Sequence, residues 1–337
     1  MKLDYDKIKQ ITLGAVSVNE ETSGITFSRF TPEQQEMYRV RNADFYNKTF
    51  APAGVKLSFK TDSKNLFVKI KAIATSSRTY FSVDVCVNGK LIGSVDNFSG
   101  VKLERNYTVQ KFELGEFSGK FELGDGEKDV CVHFPWSVRM VLEELSVDDD
   151  CYVKPLKPQK TLLVYGDSIT QGYDAMRPSN RYISKLADKL CAEEFNKAIG
   201  GEIFFPELAK YKDEFKPDLI TVAYGTNDWA MVDSRTFKDN CRGFFENLAH
   251  SYPDIKIFAI TPIWRKLENV KSVFGTFENI EMNIKEQTEH IKNVIVISGA
   301  DLVPCDENYY ADLCLHPKDE GFEYYSDNLF NKLKTLM

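Results

Sequence analysis

Through the first half of this chain apolar and polar positions alternate with a period of two, and near residue 160 the period changes. Val55–Lys60 and Leu66–Lys71 alternate strictly, as half-buried strands do. Thr79–Val87 is followed by Asn88-Gly89, two residues that tolerate positive φ and so signal a tight hairpin. Further strands are predicted at Asn106–Leu114, Asp129–Phe134 and Arg139–Asp148. Many short strands with no convincing helix among them predict an all-β sandwich or jelly roll over residues 1–155.

Cys151–Lys160 carries two prolines and few apolar residues, and reads as a connection. Beyond it, strands at Thr161–Tyr165, Leu219–Tyr224, Lys256–Thr261 and Val294–Ser298 alternate with amphipathic helices at Tyr182–Glu194, Phe237–Ser251 and Phe274–Lys292. Glu194–Ile199 supplies a further short strand. Strand–helix alternation predicts an α/β unit over 160–337, with a parallel sheet covered on both faces. No internal repeat interrupts either half.

A length of 337 residues suits two domains, and 24 Phe with 16 Tyr can fill sizeable cores, which argues against disorder. The net charge of −7, with both signs mixed along the chain, disfavours nucleic acid and anionic membrane as partners. The N-terminus lacks a basic start followed by an apolar run, and no apolar stretch approaches the roughly 18–20 residues that span a bilayer. Seven cysteines, an odd number without paired spacing, suit a reducing compartment. A soluble, cytoplasmic protein is expected. The motifs H-E-x-x-H and C-x-x-C are absent, so neither a metal nor a cofactor is expected.

Four segments of the second half are rich in chemistry. Gly166-Asp-Ser-Ile-Thr-Gln-Gly172 breaks a buried strand and delivers the Ser168 hydroxyl to the end of the sheet, where ligands sit in open parallel sheets. Alone the Gly-Asp-Ser tripeptide is a weak signal, more often a turn with a capping serine, and it is not the G-x-S-x-G elbow, because position 170 is Thr. Gly200-Gly201 allows a backbone N–H to approach a ligand, or is a plain strand-to-helix turn. Asn227, in Tyr224-Gly-Thr-Asn-Asp-Trp229, offers an uncharged amide donor suited to an oxyanion, or forms an Asx turn. Of four histidines, His133 lies in the β-half and reads as a packing or inter-domain residue, while His250 and His290 lie near helix ends. Elimination leaves His316, with Asp312 four positions upstream, as the general base.

The order of Gly-Asp-Ser, Gly-Gly, Gly-x-Asn-Asp and a late Asp…His-Pro resembles the SGNH (GDSL) hydrolase superfamily over roughly residues 160–337. The resemblance implies a flavodoxin-like three-layer α/β/α fold. It implies Ser168 as nucleophile, His316 as base, and an oxyanion hole from the N–H groups of Ser168 and Gly201 and the Asn227 side chain. The β-rich half is similar to jelly-roll domains that precede such modules in bacterial carbohydrate esterases. One departure stands out: the family's acid lies three residues before the histidine, where this chain has Leu313. A local bulge could aim Asp312 at the ring; otherwise a backbone carbonyl or another acid such as Asp319 would orient it.

The implied reaction is hydrolysis of short-acyl esters, acetyl foremost, on a small-molecule or oligosaccharide substrate, through an acyl-serine. Asp167, Arg177, Trp229 and Trp264 are the candidate substrate contacts. Rivals are a lysophospholipase or thioesterase, although no apolar lid insertion separates the blocks, and a non-catalytic carbohydrate-binding protein on the same scaffold. The β-half is alternatively an interaction or dimerisation domain, so a homo-oligomer is compatible with the sequence.

Overall fold

The computed structural model describes residues 1–267 and 272–337. The first half forms two antiparallel sheets. One runs in the order Thr12–Leu13, Lys56–Thr61, Lys128–His133, Ser82–Val87, Lys90–Asp96, with Val153–Pro155 also paired to Lys56–Thr61. The other runs Ser17–Glu21, Gly24–Ser28, Val138–Val147, Asn65–Ala74, Gly115–Glu122. Inward-facing residues of both sheets, such as Leu57, Phe59, Val83 and Val132 with Val68, Ile70, Met140 and Leu142, share one buried cluster, making a β-sandwich. Asn88 and Gly89 take φ of 49° and 76°, and Val87 pairs with Lys90, a two-residue hairpin turn.

Two sequence expectations need correction here. Asn106–Leu114 is not a strand but a loop with a 3₁₀ turn at Tyr107–Val109. Its apolar side chains are used elsewhere: Tyr107 and Phe112 pack with Tyr80, Trp136 and Tyr173 between the halves. The β-half also contains helices Tyr5–Ile11, Pro32–Arg41 and Ala43–Lys48. The second starts with a full capping box between Thr31 and Gln34.

The second half is a five-stranded parallel sheet in the order Ala192–Asn196, Lys160–Gly166, Leu219–Ala223, Ile257–Ile260, Val294–Ile297. Numbered along the chain this is 2-1-3-4-5, the flavodoxin-like arrangement, with its switch point beside Lys160–Gly166. Leu163 and Tyr165 enter the core on one face, against Phe244 and Leu248 of helix Ser234–Ser251. Leu162 and Val164 enter the other, against Ile183 and Leu186 of helix Tyr182–Lys189 and Phe322 of helix Asp319–Leu336. Both faces are therefore covered, which explains the continuous apolar run of the central strand. The helix expected to reach Glu194 stops at Lys189, because Cys191 at φ 52° turns the chain into the strand Ala192–Asn196. No helix of the described residues is long and apolar enough to cross a membrane, and all seven cysteines are free thiols.

Extensive polar contacts join the two halves. Arg29, 1% exposed, donates to the carbonyls of Ala51 (2.6 Å), Asn196 (2.7 Å), Ala198 (3.0 Å) and Lys48 (3.2 Å). Lys48 Nζ donates to the Gly200 carbonyl at 2.8 Å, and Trp136 Nε1 to that of Ala175 at 2.9 Å. Replacing Arg29 by Met strands four carbonyls in a dry interface, each costing on the order of 1–3 kcal/mol when left unpaired. Urea unfolding of Arg29→Met should show a loss of at least about 3 kcal/mol; a loss under about 1 kcal/mol would mean that the interface rearranges around the missing cation.

Candidate active site

At the end of strand Lys160–Gly166 only glycine fits. A Cβ on Gly166 would lie 2.4 Å from Thr170 Oγ1 and 2.9 Å from the Ala223 carbonyl. The Asp167 carboxylate then accepts the Ile169 N–H at 2.9 Å and caps the single helical turn Ser168–Gln171. Ser168 is the first residue of that turn, so its own N–H has no partner within it.

The neighbouring strand ends are tied to this turn. The Gly200 N–H donates to Gln171 Oε1 at 2.8 Å, and the Ile199 N–H to the Gly166 carbonyl at 3.1 Å. Gly201 sits at φ +88°, a conformation that β-carbons disfavour. Asn227 Nδ2 donates to the Glu202 carbonyl at 3.0 Å. Asp228 accepts the N–H groups of Gly225 (3.1 Å) and Phe204 (3.0 Å). Three adjacent parallel strands thus carry Ser168, Gly201 and Asn227 to one edge of the sheet.

His316 arrives from the segment before the last helix. The extra residue there is absorbed by Leu313, which adopts φ 61°. Asp312 Oδ1 gathers the N–H groups of Cys314 (3.0 Å), Leu315 (2.7 Å) and His316 (3.0 Å). Asp312 Oδ2 lies 2.7 Å from His316 Nδ1, and His316 Nε2 lies 2.8 Å from Ser168 Oγ. A four-residue spacing therefore still yields a serine–histidine–carboxylate relay. A second carboxylate, Asp174, also approaches Nδ1, at 3.2 Å. Nothing in the sequence signals it, because its partners Arg78 and Tyr80 lie more than ninety positions away.

These charges set the protonation of the site. Burial disfavours the imidazolium of His316, yet Asp174 and then Asp312 outweigh it and raise its pKa to about 9. For Asp174, burial pushes upward, but His316 and Arg78 hold it well below the usual carboxylate range. Burial lifts Asp167 to about 6, partly opposed by the Ile169 N–H and His316.

Several expected contacts are not at the rim. Asp167 is buried as the cap just described. Arg177 turns into the sandwich, where its guanidinium bonds Ser82 (3.1 Å), Ser94 and Asp96 (3.3 Å) and lies over the Phe98 ring. Trp229 is 4% exposed, because its indole N–H donates to the Gly275 carbonyl at 2.8 Å and its ring packs on Phe277. Asp319 does not orient the imidazole; it accepts from the Met176 N–H and Asn180 Nδ2, both at 2.8 Å. Trp264 is half-buried against Tyr310 and lines a cavity of about 800 Å³ whose lining includes neither Ser168 nor His316. His133 is buried at the junction of the halves, and burial together with Lys56 lowers its pKa to about 3. His290 pairs with Glu246 on the surface, and His250 lies in the last turn of helix Ser234–Ser251.

Residues 164–324 match the model of the GDSL-like lipase/acylhydrolase family. No curated protein matches the chain. Among solved structures the chain is similar to the salicylyl-acyltransferase SsfX3 from a tetracycline biosynthetic pathway, with TM-score 0.81 and 19% identity over 100% of this chain and 97% of that one. It is also similar to a family two carbohydrate esterase from Cellvibrio japonicus (TM-score 0.64, 17% identity, 98% and 96% covered). An acetyl xylan esterase from the rumen bacterium Butyrivibrio proteoclasticus follows (TM-score 0.62, 14% identity, 99% and 98% covered). The likeness is one of fold, and it runs through both halves.

A raised histidine pKa is also a statement about stability. The contribution of His316 is fully present below its ordinary value of 6.5 and is lost as pH rises through about 9. The difference in unfolding free energy between the wild type and His316→Gln should therefore shrink across that window in urea titrations. A difference independent of pH would contradict the charged cluster.

Proposed function

We propose that this chain, whose residues 164–324 form a domain of the GDSL-like lipase/acylhydrolase family, hydrolyses short-acyl esters, acetyl foremost, on a carbohydrate through an acyl-serine. The observation that carries the reading is the relay itself: Ser168 Oγ 2.8 Å from Nε2 and a carboxylate 2.7 Å from Nδ1 of one imidazole. With Nδ1–H held by Asp312, Nε2 is the acceptor that the serine proton needs.

His316 takes the proton as Ser168 Oγ bonds to the ester carbonyl carbon, and the carbonyl electron pair moves onto oxygen. That oxyanion falls to the N–H groups of Ser168 and Gly201 and to Asn227. One amide hydrogen of Asn227 is spent on the Glu202 carbonyl, which leaves the other for the oxyanion. His316 then gives its proton to the leaving alkoxide, and a water activated by His316 releases the acid and restores Ser168. Asp167 contributes by capping the turn that presents Ser168 rather than by touching substrate.

A narrow site favours a short acyl group. Ser168 is 4% exposed and His316 9%, and the Phe45 ring stands only 3.3 Å from where a Cβ on Gly201 would be. The sugar component rests on the two-part architecture shared with the carbohydrate esterases. A second reading, a longer acyl chain, would use the cavity beside Trp264, whose lining mixes Pro262, Ile263, Leu267, Phe277 and Ile280 with charged side chains and does not include Ser168 or His316.

Ser168→Ala should abolish p-nitrophenyl acetate hydrolysis while keeping the fold, and undiminished activity would remove Ser168 from its role. Asn227→Ala should lower kcat by about 100–1000-fold, the usual cost of one oxyanion donor. Because the base works only when neutral, kcat/KM should climb with pH and level off above about 9. A limb centred near pH 6 would mean that the carboxylates do not act on His316. Acetate should be cleaved in preference to octanoate, and acetylated xylo-oligosaccharides faster than acetylated glycerol; the reverse order in the first pair supports the long-chain reading.

A further inference from the structure

The second carboxylate beside His316 belongs to neither the Gly-Asp-Ser turn nor the Asp312 loop. Asp174 lies on the excursion 172–181, with no exposed side-chain surface and a φ of 72°. A lone carboxylate so buried would take up a proton. Here it is met by a fork from the sandwich: Arg78 Nε reaches Oδ1 at 2.8 Å and Nη2 reaches Oδ2 at 3.0 Å. The Tyr80 hydroxyl donates to Oδ1 at 2.8 Å, and the Tyr107 hydroxyl to the Asp174 carbonyl at 2.7 Å. Every one of these donors comes from the β-half.

We infer that Asp174 is a second positioning carboxylate for His316, set in place by Arg78 and Tyr80, so that the sandwich is a working part of the catalytic site. The inference rests on the esterase reading for its consequence in catalysis, but its physical content does not. Nδ1 carries one hydrogen, and the shorter contact gives it to Asp312. Asp174, off that axis at 3.2 Å, acts through its charge on the imidazolium that forms when Ser168 is deprotonated. Tyr173 lies against both the His316 ring (5.7 Å between centroids) and Trp136 (4.8 Å), so the contact is flanked by buried rings, and a charge acts more strongly in such surroundings than in water.

Among the described residues, charge is brought to His316 or to the carboxylates around it by Asp312 on its own loop, Asp167 on the serine turn, Asp174 with Arg78 behind it, and Arg265, whose charge is felt by Asp167 and Asp312. Arg265 also donates to the Thr226 carbonyl and hydroxyl, both at 3.0 Å. The alternative is that Asp174 only latches the halves together and leaves the imidazole indifferent.

Ring-nitrogen NMR of the full chain labelled in histidine, with the signal assigned by its loss in His316→Gln, separates the two. Asn tolerates the left-handed backbone, so Asp174→Asn removes the charge with little strain. The His316 pKa should drop by about 1–3 units in that variant. Asp174→Gly, which removes the same charge at no backbone cost, should give the same drop and stands in if the first variant misfolds. A His316 pKa unchanged in a variant with native circular dichroism would overturn the inference. The titration needs no substrate, so its result is independent of whether Ser168-dependent ester hydrolysis is found. In kinetics, Arg78→Gln should lower kcat in the Asp174 protein and add nothing further to Asp174→Asn. Full additivity would sever Arg78 from the site.

Discussion

Both nitrogens of the His316 imidazole must be held at once, and much of the structure follows from that requirement. Nε2 is useful only if Ser168 reaches it, which fixes where the central strand of the sheet must end. Nδ1 is useful only if an acceptor holds its hydrogen, which fixes the shape of the segment Asp312–His316. Leu313 at φ 61° is the local cost of that second condition, since the left-handed region disfavours a branched residue by roughly 1–2 kcal/mol. The three N–H groups collected by Asp312 Oδ1 offset it by holding the loop closed around the carboxylate.

The excursion 172–181 lies between the two halves and is held by both. Trp136 and Arg78 grip it from the sandwich through Ala175 and Asp174, while Arg181 pairs with Glu194 in the α/β unit at 3.0 Å. Arg29 and Lys48 do the same for the segment leading to Gly201, bonding the carbonyls of Asn196, Ala198 and Gly200. The sandwich therefore braces both the His316 side and the Gly201 side of the site.

Period-two patterning makes the strands of the first half legible, and in the second half apolar runs alternating with amphipathic helices predict a sheet covered on both faces. Ser168 and Asn227 stand out in the sequence because strand-end glycines are needed at fixed places, and His316 because elimination among four histidines leaves it. Readability failed where a residue's role depends on distant partners. Arg177 and Trp229 look like rim residues by type, but serines of the sandwich and the Gly275 carbonyl take up their polar atoms. Asp174 looked ordinary, because pairing with Arg78 is a consequence of docking and leaves no local pattern. The helix Pro32–Arg41 carries a local signal, the capping box of Thr31 with Gln34 three residues on.

The most direct measurement is covalent. Incubation of the full chain with a fluorophosphonate, followed by peptide mapping by mass spectrometry, reads which oxygen the imidazole activates. One adduct on Ser168, formed faster as pH rises toward about 9 and lost in His316→Gln, is the expected result. An adduct on another residue, or none on Ser168 under conditions where the protein is folded, would contradict the assignment of this site.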